Sequence, residues 1–275
     1  YYYWFHGKRL LHEPLDAMLA SGEPDFPFCV CWANENWTRR WDGLDAELLV
    51  AQEHSPEDDL QFIESLFPLF RDPRYIRVHG RPLLMVYRPS LLPDAQATVA
   101  RWRQHCDLHG IPAPYLLMTQ SFYHLNSTGP QAFGFDAAVE FPPHSLAVEV
   151  PSQPRGMPGA PFDGRVYDYR ATAENFLRRD MPPYRLFRSV MPRWDNTPRR
   201  GPSGNVFLHS TPEAFGDWLR RAVEDTRKFA YGDERIVFIN AWNEWAEGNY
   251  LEPDLAFGHA YLEAARAVLM PPDAS

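Results

Sequence analysis

Ile236-Val237-Phe238-Ile239-Asn240-Ala241-Trp242-Asn243-Glu244-Trp245-Ala246-Glu247-Gly248 is a short apolar run that gives way to two glutamates and two tryptophans. Its first half reads as a buried strand, too short for a helix and rich in β-branched and aromatic residues. Its second half sits where α/β enzymes carry their chemistry, just beyond a strand's C-terminal end. Two carboxylates among indole rings suit cleavage of the bonds between sugars.

Working outward, six more apolar runs of strand length recur: Tyr1–Phe5, Phe26–Trp32, Leu83–Tyr87, Tyr115–Thr119, Ala137–Phe141 and Phe187–Met191, with Arg235–Asn240 as the last strand. Helical patterns fall between them, at Glu13–Ala20, Pro56–Phe70, Asp94–His109, Ala171–Arg179, Pro212–Phe229 and Leu255–Leu269. Ser55-Pro56-Glu57 and Thr211-Pro212-Glu213 each supply an N-cap hydroxyl, a proline at the first helical position and an acid in the first turn. In the Pro56 helix, Leu60, Ile63, Leu66, Phe67 and Phe70 share one face.

Strand–helix alternation with near-continuous apolar strands predicts a parallel sheet covered by helices. Neither GxGxxG nor GxxxxGK[ST] occurs, which argues against an open nucleotide-binding sheet. The expectation is therefore an α/β fold, a (β/α)8 TIM-type barrel lacking its first strand in this chain. Tyr1–Phe5 reads as a strand already in progress, which suggests that an N-terminal portion precedes it. Residues 1–275 are expected to form a single catalytic domain, with a long Pro/Gly-rich loop at 142–170 that has no secondary structure of its own.

Composition narrows the partners. The chain has 275 residues, enough for a full core, and is 15% aromatic with nine Trp and thirteen Tyr. Such rings line sugar clefts and also fill cores. A net charge of −9 argues against nucleic acid. No apolar stretch is long enough to be a transmembrane segment, and no signal peptide is visible, so a cytoplasmic location is expected. The three cysteines, Cys29, Cys31 and Cys106, match no zinc pattern and read as buried free thiols. No HxH or HExxH spacing supports a metal, and no cofactor is expected. The sequence sets no oligomeric state.

The positions after each strand nearly all mix an aromatic with hydrogen-bonding side chains. They are His6-Gly7-Lys8, Ala33 to Trp41, Arg88-Pro89-Ser90, Gln120 to His124, Pro142-Pro143-His144, Pro192 to Asn196, and Ala241 to Asn249. That mixture suits an oligo- or polysaccharide. Glu244 and Glu247, three apart on a helical turn, would place their Cβ atoms about 5–6 Å apart. Retaining glycosidases hold two carboxyls about 5–5.5 Å apart. The bland alternative is a glutamate pair complementing a helix dipole. Candidate substrate contacts are Trp32, Asn34, Glu35, Asn36, Trp37, Arg39, Trp194, Asp195, Asn196, Trp242, Asn243 and Trp245. Glu35 reads equally well as part of a turn cluster, and Arg39 or Arg40 as a partner of Asp42. Glu140 lies within a strand and suits burial against an arginine as well as binding. His6, His124 and His144 read as structural.

The segments Tyr1-to-Phe5 (YYYWF), Cys31-to-Gly43 (CWANENWTRRWDG), Pro82-to-Ser90 (PLLMVYRPS), Phe133-to-His144 (FGFDAAVEFPPH) and Asn240-to-Asp254 (NAWNEWAEGNYLEPD) resemble WbsX-type, glycoside hydrolase family 99-like proteins. The resemblance runs from residue 1 to about residue 268. It implies a bacterial O-antigen or capsule setting, and such proteins are often labelled glycosyltransferases. It also implies a (β/α)8 barrel with a further strand upstream. The related endo-α-mannosidases have a motif similar to Trp-Asn-Glu-Trp-x-Glu-Gly. By that resemblance Glu244 would take the proton from a sugar 2-hydroxyl, giving a 1,2-anhydro sugar, and Glu247 would protonate the leaving oxygen and then activate water. Ala246 stands where the mannosidases have His, and Asn249 where they have Thr, so the resemblance implies the carboxylate pair but not mannose as the sugar. The expected function is retaining hydrolysis of α-linked glycans. The alternatives are glycosyl transfer, although the chain has no Asp-x-Asp, and a non-catalytic glycan-binding barrel.

Overall fold

The computed structural model describes residues 1–39, 44–121, 128–150 and 162–270, with residues 39 and 44–46 described in the backbone alone. The chain forms two compact units, Tyr1–Val139 and Glu140–Ser275.

In the first unit the expected strands are present, Tyr3–Phe5, Val30–Trp32 and Ala137–Glu140 shorter than expected and Arg81–Val86 and Tyr115–Gln120 one residue longer. Val30–Trp32 pairs in parallel with Arg81–Val86, and that strand pairs in parallel with Tyr115–Gln120. Tyr115–Gln120 neighbours Ala137–Glu140, whose last residue opens the second unit. Tyr2 makes a parallel bridge to Trp32. The N-terminal strand, Tyr3–Phe5, also turns back on Lys8–Leu10 as a hairpin through His6 and Gly7, both at positive φ. Two such residues are what a tight hairpin turn demands.

The helix expected over Pro56–Phe70 is two helices, Pro56–Ser65 and Phe67–Arg71, broken at Leu66. Pro68 has no N–H to donate to the Glu64 carbonyl and its ring crowds that turn, so the helix cannot continue. The expected cap is present: Ser55 Oγ accepts the Asp58 N–H at 3.1 Å. Phe62 stacks on Trp32 with centroids 4.2 Å apart, and Trp102 of the Ala95–Leu108 helix tilts against Phe62 at 5.2 Å. Trp32 is therefore a core residue.

In the second unit Leu186–Val190 pairs in parallel with Val237–Ile239. The stretch expected to be a bare loop contains strands: Val148–Glu149 pairs antiparallel with Arg165–Asp168, which runs parallel to Asn205–Leu208. Residues 151–161 of that stretch lie outside the described ones. Pro212–Phe229 starts on Thr211, whose hydroxyl accepts the Ala214 N–H. It packs with Tyr169–Arg178 over a core that includes Tyr169, Phe176, Phe215, Trp218 and Trp194. The last helix is Ala260–Leu269, not Leu255–Leu269. Asp254 accepts the Phe257 N–H and exchanges backbone bonds with Gly258, so a turn occupies the expected first helical turn.

Cys106 is buried, Cys29 and Cys31 are partly buried, and all three are free. Burial pushes the thiols of Cys29 and Cys31 up to about 11 and about 12. No helix among the described residues is long and apolar enough to cross a membrane.

Glu140 is enclosed in the second unit. Its carboxylate takes Arg188 at 2.8 Å, Arg179 at 3.4 Å and the Ser189 N–H at 3.1 Å. Burial pushes its carboxyl up, opposed by Arg188 and Arg179. The arginine-partnered reading of this strand glutamate is the one the geometry supports. Replacing Glu140 by Ala removes a partner shared by Arg188 and Arg179, leaving Arg188 its Asp225 contact at 3.1 Å, and is expected to cost about 1–3 kcal/mol, measured by urea unfolding of wild type and variant.

Candidate functional site

The Val237–Ile239 strand leads into Asn240, whose N–H donates to the Val190 carbonyl and whose side-chain amide donates to the Pro142 carbonyl. Beyond Asn240 the chain forms a hairpin, where a helical turn was expected. Asn243–Glu244 pairs antiparallel with Asn249–Tyr250, with Glu244 opposite Asn249. The loop between them is a single 3-10 turn, Trp245–Glu247, closed by Gly248 at φ 57°. Glu247 is therefore separated from Glu244 by a tight turn in which side chains three apart nearly eclipse. The two carboxyls remain neighbours by a different local structure.

Gly248 is required where it stands. A Cβ there would lie 2.5 Å from the Asp195 carbonyl oxygen and 2.9 Å from its nitrogen. That closeness lets the Asp195 N–H donate to the Glu247 carbonyl at 2.9 Å. Asp195 also accepts from the Thr197 N–H and hydroxyl, at 3.0 and 2.6 Å. Asn196 is buried and exchanges bonds with Asn205: its N–H donates to the Asn205 carbonyl, and its side-chain oxygen accepts the Asn205 N–H. These two residues hold the frame of the site. The short helix Thr197–Arg200 comes next and packs on the Trp245–Glu247 turn. It delivers Arg199, whose Nη1 lies 2.9 Å from Glu247 Oε1 with both side chains mostly buried, 16% and 24% exposed.

Burial is the largest influence on Glu247 and pushes its carboxyl above the usual carboxylate range. Arg199 and Arg200 oppose that shift, and the like charge of Glu244 adds to it. A carboxyl held in this balance keeps its proton longer than a free glutamate and can act as a proton donor.

The aromatic candidates divide. Trp242 and Trp245 are 51% and 46% exposed, so each indole presents a face to solvent. Trp245 is fixed by stacking on Tyr250 at 3.7 Å and by an Nε1–H bond to Glu252 at 2.6 Å. Arg193 lies over the Tyr250 ring and pairs with Asp254. Trp194, by contrast, is 7% exposed within the second unit's core and packs rather than presenting a face. Asn243 is exposed beside Glu244.

In the first unit Asn34 is fully buried and exchanges two hydrogen bonds with the Arg88 backbone, each 2.8 Å. Glu35 pairs with the Arg88 guanidinium at 2.7 Å. Asn36 accepts the Gln52 N–H, and Trp37 packs edge-on to Tyr3 and Phe5. Asn34 is thus a pin between strand ends. The side chain of Arg39, together with Arg40, Asp42 and Phe122 to His124, lies outside the described residues. His144 is partly buried, and loss of hydration pushes its imidazole down to about 4. Among the described residues no group of three His, Cys, Asp or Glu is placed to hold a metal ion.

Sequence reading missed Arg199, Arg200, Arg193, Tyr250 and Glu252. The available signal was proximity in the chain: Arg199 and Arg200 directly follow Asp195-Asn196-Thr197-Pro198, and Tyr250 and Glu252 continue the tryptophan motif.

Substituting Gly248 by Ala puts a methyl group against the Asp195 backbone in a left-handed conformation. The variant is expected to lose more than about 1 kcal/mol of stability in denaturant unfolding.

Comparison with known proteins gives the family and the fold. The chain is 45% identical over 269 residues to the uncharacterized protein WxcX of Xanthomonas campestris pv. campestris strain B100, and equally to WxcX of strain ATCC 33913. The match covers 98% of this chain and 38% of each WxcX protein, so the chain spans well under half the length of these relatives. Among solved structures it is similar to a glycoside hydrolase-like protein, with a TM-score of 0.58 and 14% identity over 91% of this chain and 73% of that one. It is also similar to the GH99 endo-alpha-mannosidase from Bacteroides thetaiotaomicron, with a TM-score of 0.53 and 13% identity over 91% of this chain and 64% of that one. At such identities the likeness speaks for the fold alone. It is the expected class, mixed α/β of the barrel type that these hydrolases have. The family described as Glycosyltransferase WbsX matches residues 1–265, and this chain belongs to it.

Proposed function

We propose that this chain is a catalytic domain that cleaves α-linked glycans of a bacterial surface polysaccharide with retention of configuration, using Glu244 and Glu247. The observation that carries the reading is the state of Glu247: a mostly buried carboxyl, shifted upward, beside a second carboxyl and two exposed indoles. A structural ion pair needs neither the like-charged neighbour nor the open aromatic faces. Glu244, Trp242, Asn243 and Trp245 supply the base and the sugar contacts. Asp195 and Asn196 hold the acid's frame; in the first unit, Glu35, Asn36, Trp37 and Arg39 are proposed as glycan contacts of that unit.

In the first step Glu244 takes the proton from the 2-hydroxyl, O2 bonds to C1, and the C1–leaving-oxygen bond breaks as Glu247 gives that oxygen its proton. In the second step Glu247, now ionised, takes a proton from water, whose oxygen bonds to C1. The C1–O2 bond opens, and O2 recovers its proton from Glu244. Two displacements at C1 restore the original configuration. A sugar hydroxyl in place of water would turn the same second step into transfer, which agrees with the family's description. Product analysis with an added acceptor glycan separates the two: free reducing ends mean hydrolysis, extended acceptor means transfer.

Glu244→Gln and Glu247→Gln are each expected to lower kcat/KM on the cognate polysaccharide by about 10²–10⁴-fold, with folding unchanged. Near-wild-type turnover in either variant overturns the assignment. The pH dependence has a fixed sign. Glu247 must enter protonated, so kcat/KM declines as pH rises through its raised value. Arg199→Gln removes a positive charge that favours the ionised form, so the alkaline limb is expected to move to higher pH. A pH–rate profile of the two proteins measures it.

A further inference from the structure

Arginines of the second unit are for the most part committed to carboxylates: Arg188 to Glu140, Arg193 to Asp254, Arg221 to Glu174 and Arg199 to Glu247. Arg200 differs. It is exposed and makes no side-chain ion pair among the described residues, although its charge reaches Glu247. It lies on the same short helix as Arg199, and that helix packs directly on the Trp245–Glu247 turn. Arg199 is therefore paired with the Glu247 carboxyl, while Arg200, one residue on, stays exposed at the same turn. The charged groups acting on Glu247 are Arg199, Arg200 and Glu244.

We propose that Arg200, assisted by Arg199, is a subsite for an anionic substituent, carboxylate or phosphate, on the sugar held beside Glu247. The inference rests on the glycan-acting reading above and narrows its substrate to acidic glycans. Guanidinium groups bind planar and tetrahedral oxyanions through parallel N–H bonds, a geometry that a neutral hydroxyl cannot match. The Arg199–Glu247 pair is partly open to solvent, so an incoming anion can share the Arg199 charge. Sharing it loosens the grip on Glu247 and favours the protonated acid, which couples recognition of the charged sugar to the first chemical step. A neutral glycan has no such lever.

The test reads binding by NMR titration of the wild-type chain with methyl α-glycosides in matched pairs: glucuronic acid with glucose, galacturonic acid with galactose, and mannose 6-phosphate with mannose. At least one anionic member is expected to bind about tenfold more tightly than its neutral twin. Arg200→Gln should erase that preference with an unchanged melting temperature, Arg200→Lys should keep part of it, and about 1 M salt should weaken it. Preference for the uronic acids identifies a carboxylate as the recognised group, and preference for the 6-phosphate identifies a phosphate. Equal binding within every pair, no binding at all, or a preference that survives in Arg200→Gln overturns the inference. Turnover on a surface polysaccharide with no anion preference sinks this inference and leaves the hydrolase reading standing. Anion preference without turnover does the reverse.

Discussion

The contact between Gly248 and the Asp195 backbone is the constraint on which the second unit's site depends. The hairpin can seat on residues 195–200 because no side chain intervenes, and the Asp195 N–H then fixes the Glu247 carbonyl. Asn196 ties the same segment to Asn205, at the start of the Asn205–Leu208 strand. The helix after Asn196 packs on the Trp245–Glu247 turn and brings Arg199 to Glu247. One backbone approach thus sets the position of the acid, the cation that restrains it and, across the 3-10 turn, the second carboxyl.

Glu140 and Glu247 show why two similar-looking glutamates do different work. Burial raises both, and arginines oppose the shift in both. Around Glu140 two arginines and a backbone N–H satisfy the carboxylate, and almost none of it meets solvent. Such a group has no solvent path by which to exchange a proton. Glu247 has one direct arginine partner, a like-charged neighbour that works against that partner, and a solvent-facing edge. Opposed influences on a reachable carboxyl are the mark of a group poised to change protonation state.

The strands were legible because a sheet covered by helices leaves continuous apolar runs, and each run expected from the sequence contains a strand in one unit or the other, although Val237–Ile239 is only partly buried. The glutamate pair was legible as a pair for the same reason, since it begins where such a run stops. Its local structure was not. A two-residue strand and one 3-10 turn carry no periodicity, and the only hint of a hairpin is Gly248, which reads equally well as a helix stop. Trp32 and Trp194 read as ligand contacts in the sequence because strand ends that mix aromatics with hydrogen-bonding side chains suit a sugar. Here both turn into cores, a choice made by the space their neighbours leave. Arg199 escaped notice because its role depends on a turn that brings residues 48 positions apart into contact.

The indoles bear on whether the second step ends on water or on a sugar. Trp245 cannot reorient freely, since Tyr250 covers one face and Glu252 holds its Nε1–H, while Arg193 and Asp254 brace Tyr250 in turn. A ring fixed before binding stacks on a sugar with little loss of side-chain entropy. That economy serves a second sugar as well as a first, and Trp242 offers another open face within the same hairpin. Two open indole faces beside the proposed acid–base pair suit a chain of sugars better than a single terminal residue. In the proposed reaction, the acceptor for the second step is then whatever hydroxyl, water or sugar, next reaches Glu247.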